Sequence, residues 1–151
     1  MTAVLTKPES LTEVTGRSVI SEELFSRLIR HLMRDEGIDR GRAERIIDQA
    51  VAFVVTSGKY PHAFLRPSKQ VDTGWHTMIL HTLDYRQFCV NVVGRFVDHI
   101  PTEDEGDNNG SKHTERTVAA MQEVGFYVDP ELWDGAANCG ETGCGAGRPP
   151  R

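Results

Sequence analysis

Apolar residues that recur every three or four positions, between residues that favour helix ends, dominate this chain. In the first such segment they are Leu24, Phe25, Leu28, Ile29, Leu32 and Met33. This spacing aligns them along one face of an α-helix. Ser21 is a favourable N-terminal cap and Gly37 a favourable C-terminal end. The pattern predicts an amphipathic helix whose apolar face needs other helices to cover it.

The same spacing returns along the rest of the chain. Further helices are predicted over residues 39–58, 69–90 or beyond, 114–124 and, as a short turn after an Asp-Pro pair, 129–133. Ser68 is the predicted cap of the third helix, which is the longest. No segment alternates as a β-strand does. The predicted fold class is therefore all-α, a small bundle of four to five helices.

The ends of the chain differ from this helical part. Residues 1–18 are polar and are predicted to form a flexible arm, whereas residues 135–151 form a Gly-rich tail that carries two cysteines. The helical domain between them covers residues 19–134. A chain of 151 residues is long enough for one domain with a substantial core.

Charge and composition exclude some classes of partner. The net charge is −5 and the pI is about 5.7, so no basic surplus is present to neutralise the phosphates of nucleic acids. No apolar stretch reaches the roughly 20 residues that span a bilayer, and the N-terminus lacks the apolar core of a signal peptide. We expect a soluble, cytoplasmic protein without a nucleic-acid or membrane partner. The odd count of three cysteines argues against a disulfide framework.

Asp72 and His76 are the most informative polar pair. They are four residues apart in the third predicted helix, one turn apart on the same face and beside Trp75 and Ile79. We therefore expect both side chains to be buried, which is costly unless they are paired or bound to something. Three interpretations stay open: a structural Asp–His hydrogen bond, metal ligation by His76 with Asp72 as a second ligand or orienting group, and metal-free acid–base catalysis.

Other histidines are weaker candidates. His62 lies in the connector before the third helix, which can fold back over the start of that helix. His99 follows His76 by 23 residues, about 35 Å in an unbroken helix, so the two share an ion only if the chain turns near Gly94. His81 is turned about 140° from His76 and is predicted to face solvent.

Cys139 and Cys144 form a second candidate site. Their Cys-x4-Cys spacing among glycines suits a backbone that wraps tightly, but it is a weaker zinc signal than Cys-x2-Cys. Three interpretations stay open for this pair: two exposed thiols, a reversible disulfide, or two ligands that join Asp72 and His76 in a mixed N/O/S site. Such a set suits zinc first, with copper or iron as alternatives. Cys89 is predicted to be a core residue.

The segment PSKQVDTGWHTMILHTLDYRQFC resembles the signature of bacterial relatives of the glycine-rich domain-containing protein family. The matching positions are Pro67, Ser68, Val71, Asp72, Trp75, His76, Thr82, Tyr85, Phe88 and Cys89. A later Gly and a His-His-x-Pro ending are matched by Gly94 and His99, although Asp98 replaces the first histidine. The family has no generally assigned reaction. The resemblance covers residues 45–135. It implies that Asp72 and His76 are important for function, but it does not identify a reaction.

These observations lead to two hypotheses. The first is a small metal-binding helical protein centred on the Val-Asp-x-x-Trp-His segment, which as an enzyme would act on an unidentified substrate, with His76 and Asp72 as the catalytic candidates. The second is a metal-free interaction module or accessory protein in which the Asp72–His76 pair is structural. Removal of metal distinguishes the two hypotheses. It should lower the melting temperature of a metal-binding protein, because a bound ion stabilises the folded state, and leave that of the interaction module unchanged.

Overall fold

The computed structural model describes residues 13–100 and 110–133, and these residues form an all-α fold, as predicted. Six α-helices occur in this part of the chain: α1 Glu22–Glu36, α2 Arg40–Lys59, α3 Lys69–Leu80, α4 Thr82–Phe88, α5 Gly110–Val124 and α6 Pro130–Trp133. Short 3-10 turns cover Gly16–Val19 and Pro61–Ala63, and a π-helical turn covers Cys89–Val93. The described residues contain no strand, only an isolated bridge between Val14 and Phe126.

Local capping explains where the first helices begin and end. The Ser21 hydroxyl accepts a hydrogen bond from the Leu24 amide, 3.1 Å away, and Gly37 ends α1 with φ 65°. The Asp39 carboxylate caps α2, and the Ser68 hydroxyl caps α3. These caps satisfy backbone groups that a helix end leaves unpaired. The predicted starts of these three helices are confirmed.

α2 is the central helix of the bundle. Its buried side chains include Ile47, Ala50 and Phe53. Gly74 brings α3 close to it, because a Cβ on this glycine would lie 2.8 Å from Cγ2 of Ile46. α2 therefore supports the helix that carries the Asp72–His76 pair.

A buried glutamine fixes α6 against α2. Oε1 of Gln49 accepts hydrogen bonds from the Asp129 amide and from the Trp133 indole, at 3.0 and 2.8 Å. Arg45 makes a bidentate ion pair with Asp129, and its hydrogen bonds lower the pKa of that carboxyl group. α6 completes the core with Leu132 and Trp133.

The prediction of one long third helix was wrong. The helix ends at Leu80, and His81 has φ −90° and ψ 69°, outside the helical region. The next helix, α4, begins directly afterwards, and no glycine or proline in the sequence marks the break between the two helices. His81 is half-buried at this break, with its Nε2 atom 2.9 Å from Nδ1 of His31. The expectation that His81 faces solvent was therefore also wrong.

The fourth predicted helix begins earlier than expected. α5 starts at Gly110 rather than after Thr114, and it ends before Gly125, as predicted. None of the helices in the described part of the chain has the length and apolar content needed to span a membrane.

The predicted domain boundaries at residues 18 and 134 stay predictions. The last residues of the predicted arm pack on α2, where the Arg17 amide donates a hydrogen bond to the Asp48 carboxylate at 2.7 Å. The tail over residues 135–151 lies outside the described residues.

Candidate metal centre

α3 presents Asp72 and His76 at the edge of the bundle rather than in its core. Their side chains are 36% and 59% exposed, so the expectation that both are buried was wrong. The buried stripe of α3 contains Val71, Trp75 and Met78. At about 100° per residue, Asp72 and His76 lie about 100° and 140° from Val71, which places them beside this stripe and open to solvent.

The chain turns back after α4 and brings His99 to the same place. The π-helical turn ends at Gly94, whose φ of 97° is a conformation that glycine adopts readily. The Gly94 amide donates to the Cys89 carbonyl, 2.7 Å away, which closes the turn. The following non-helical segment, residues 95–100, returns to α3. The turn near Gly94 that a shared site would require is therefore present.

Three potential ligand side chains converge at this point. Nε2 of His99 lies 2.9 Å from Nε2 of His76 and 2.9 Å from Oδ1 of Asp72. Nε2 of His76 lies 3.6 Å from Oδ2 of Asp72. No other group of three His, Cys, Asp or Glu side chains in the described residues is arranged in this way. The cluster of Asp72, His76 and His99 is called the triad below.

The spacing of the triad fits a small transition-metal ion. Ligands about 2.0–2.1 Å from a zinc ion are about 2.9 Å apart at a right angle and about 3.4 Å apart at the tetrahedral angle. The two separations of 2.9 Å match the right-angle value, and the separation of 3.6 Å between Nε2 of His76 and Oδ2 of Asp72 is slightly longer than the tetrahedral value. Two imidazoles and a carboxylate form a ligand set found in both zinc and non-haem iron sites.

Hydrogen bonds alone satisfy the triad less well. Each imidazole nitrogen has a single in-plane position, which holds either a proton or a lone pair. One proton on Nε2 of His99 cannot serve both the carboxylate and the facing nitrogen of His76 with good geometry. A cation would accept the lone pairs of both nitrogens and a carboxylate oxygen at the same time.

The exposure of the triad leaves room for a further ligand. His76 is exposed, whereas the His99 side chain is 21% exposed and packs on the Trp75 indole, with ring centroids 4.3 Å apart. The cluster is thus anchored on one side by an aromatic ring and open to solvent on the other.

The other candidate ligands lie elsewhere or outside the described residues. His62 is exposed in the 3-10 turn before α3 and does not belong to the triad. His81 contacts His31, and burial lowers the pKa of His81. Cys139 and Cys144 fall outside the described residues. Cys89 is fully buried, as predicted for a core residue, and burial raises the pKa of its thiol.

His99 is the candidate ligand that spacing along one helix argued against. The signal that favoured it was Gly94, together with the match of residues 99–101 to the end of the resembling family's pattern. Neither observation gives a distance, because where the returning segment lies depends on the packing of α3 against α4.

A family model described as UCP032817-like matches residues 15–123. This match includes the triad and most of the helical bundle. No curated protein and no solved structure matches the chain.

Proposed function

The chain belongs to the UCP032817-like family, and we propose that it is a small metal-binding protein whose ion is held by Asp72, His76 and His99. The observation that carries this proposal is the convergence of two Nε2 atoms and one carboxylate. Nε2 of His99 lies 2.9 Å from Nε2 of His76 and 2.9 Å from Oδ1 of Asp72, and Nε2 of His76 lies 3.6 Å from Oδ2 of Asp72. Two imidazole nitrogens at this distance are joined either by a cation that both ligate or by an N–H···N hydrogen bond.

The ligand set favours zinc first. Two imidazoles and one carboxylate are common protein ligands of catalytic zinc, in which water or substrate occupies the fourth position. The same set occupies one face of non-haem Fe(II) sites, so iron is the next candidate and copper a third. We expect the ion to bind as a divalent cation with at least one position open to solvent.

An open position at the ion is the basis for proposing an enzyme. A divalent ion with a free position lowers the pKa of bound water and polarises a carbonyl or phosphoryl oxygen. In this chain Asp72 and His76 lie at the accessible side, where a substrate would approach. The substrate class is not specified by the residues that line this surface.

Several predictions made from sequence remain part of this proposal. Cys139 and Cys144 of the tail stay predicted further ligands; if they bind, they occupy the position that is otherwise open to water or substrate. His62, a weaker candidate from sequence, lies outside the triad and is not part of the proposed site. The relationship to bacterial glycine-rich domain-containing proteins and the cytoplasmic location also stay predictions.

Exposed apolar side chains support the alternative of an interaction module. Leu80 and Leu83 flank the break between α3 and α4 and are 64% and 61% exposed. Exposed apolar side chains that form a contiguous patch are typical of protein-binding surfaces. In this alternative the triad is a hydrogen-bonded cluster that holds residues 95–100 against α3.

Elemental analysis separates the two functions. Protein purified without a metal-affinity tag is compared as wild type, His76→Ala and His62→Ala. We expect about one equivalent of a transition metal in the wild type and in His62→Ala, and a sharp loss in His76→Ala. If the wild type takes up no zinc, iron or copper when these are added back, the metal-binding proposal is refuted and the interaction module is favoured.

A further inference from the structure

A buried tyrosine links the two segments that carry the triad. Tyr85 of α4 is 3% exposed, and its hydroxyl accepts a hydrogen bond from the Trp75 indole nitrogen, 3.0 Å away. The same hydroxyl donates to the Val97 carbonyl at 2.6 Å. The phenol therefore uses both its donor and an acceptor position inside the protein.

Both ends of this chain of hydrogen bonds are next to ligands of the triad. Trp75 precedes His76 in α3, and Val97 lies two residues before His99. The Trp75 ring also contacts the His99 ring, with centroids 4.3 Å apart. The distance between His99 and α3 thus depends on where the hydroxyl of Tyr85 holds the backbone of residue 97.

The non-helical segment that carries His99 needs such an anchor. Residues 95–100 lack the repeating hydrogen bonds of a helix, and the side chains of Phe96 and Ile100 are 50% and 65% exposed. The Phe96 ring packs edge-on against Tyr85, with centroids 5.4 Å apart. Tyr85 therefore contacts this segment both through its ring and through its hydroxyl.

We propose that Tyr85 is a positioning residue that holds His99 in the triad through the Trp75–Tyr85–Val97 hydrogen bonds. This inference rests on the proposed metal-binding function. Burial raises the pKa of Tyr85, so its hydroxyl stays protonated and keeps its donor bond to Val97. Groups that orient metal ligands typically change metal affinity by about 10–100-fold when they are removed.

Tyr85→Phe tests the role of the hydroxyl while keeping the ring. Tyr127→Phe is the matched control, because it removes a phenol hydroxyl beside Asp129, on the α6 side of the bundle. Zinc affinity is measured by competition, and Co2+ binding by its visible spectrum, which reports the number and type of ligands. We expect affinity about 10-fold weaker or worse and an altered Co2+ spectrum for Tyr85→Phe, and wild-type values for Tyr127→Phe.

A metal-independent measurement separates this inference from the proposed function. In metal-free wild-type protein, nuclear Overhauser effects between the Trp75 and His99 rings should report their contact. We expect these signals to weaken in Tyr85→Phe and to persist in Tyr127→Phe. Their persistence in Tyr85→Phe, or unchanged zinc affinity and Co2+ spectrum in that variant, overturns the positioning role. Failure of the wild type to bind any metal refutes the proposed function, and the ring contact still decides whether Tyr85 positions His99.

Trp75→Phe provides a second variant if Tyr85→Phe does not fold. It keeps an aromatic ring against His99 but removes the indole N–H that orients the Tyr85 hydroxyl. We expect a several-fold loss of zinc affinity, smaller than that of Tyr85→Phe. Wild-type affinity and ring contacts in Trp75→Phe would contradict the proposed chain of hydrogen bonds.

Discussion

Removal of His99 should remove most of the stabilisation of this protein by zinc. Nε2 of His99 lies 2.9 Å from Nε2 of His76 and 2.9 Å from Oδ1 of Asp72. Without it, only Asp72 and His76 remain at the described site. We expect His99→Ala to weaken zinc binding by about 100-fold or more, because the central ligand and its orienting contacts are lost together.

The change in stability follows from the binding equilibrium. At a free zinc concentration of about 100 times the wild-type Kd, binding stabilises the folded state by about 2.7 kcal/mol. A variant with a Kd about 100-fold higher gains only about 0.4 kcal/mol at the same concentration. At about 4 °C per kcal/mol, the wild-type Tm should rise by roughly 10 °C and that of His99→Ala by about 1–2 °C.

Thermal unfolding followed by circular dichroism, with and without zinc, measures this difference. His62→Ala is the control, because His62 is an exposed histidine outside the triad, and its zinc response should equal that of the wild type. Each variant is compared with its own metal-free form, so the intrinsic cost of losing the His99 ring does not enter. Equal zinc-induced shifts for His99→Ala and the wild type would refute the assignment of His99 as a ligand.

Two further predictions concern the elements that support the site. Gly74→Ala should lower the free energy of unfolding by about 1–3 kcal/mol in urea titrations, because its new Cβ would lie 2.8 Å from Cγ2 of Ile46. Gly41→Ala is the control, because its new Cβ would meet nothing closer than 3.7 Å, and it should not lower the free energy of unfolding. Equal stability of the two variants would contradict this account of the α2–α3 contact. The pKa of His81 is lowered by burial, by His31 and by Arg27, and Asp84 opposes this with a smaller effect. The His81 imidazole therefore binds a proton more tightly in the unfolded chain than in the folded protein. The stability gained from neutral His81 is complete above the unfolded pKa of about 6.5 and is lost as the pH falls below it. His81→Asn should therefore lose less stability than the wild type between pH 7 and pH 5, and parallel pH profiles would show that His81 does not contribute.

The success of the helix predictions reflects interactions between near neighbours in the chain. Ser21, Asp39 and Ser68 each accept a hydrogen bond from an amide three residues later, so the residue type alone identifies the start of the helix. The break at His81 has no comparable local signal. It occurs where α1 contacts the chain at and just after the break, through the His31–His81 contact and the Arg27–Asp84 ion pair, and these contacts join residues that are far apart in sequence.

The candidate site was predictable only in part. Asp72 and His76 could be paired from sequence, because their spacing of four residues places them on one helix face wherever the helix lies. Their burial was predicted wrongly, since they lie beside the apolar stripe that faces α2 rather than within it. The positions of Val71, Trp75 and Met78 around the helix already indicate that Asp72 and His76 lie beside the buried stripe. How far these two side chains are exposed depends on how α3 packs against α2.

The sequence by itself determined the all-α class, the caps of the first helices and the Asp72–His76 pair, because each depends on residues within about one helical turn. Only the tertiary structure decided that His99 joins them. Its distance from His76 depends on the turn at Gly94 and on a hydroxyl of α4 that holds residue 97. A separation of 23 residues along the chain carries no fixed distance once the helix is broken, so the packing of α3, α4 and the returning segment assembles the triad.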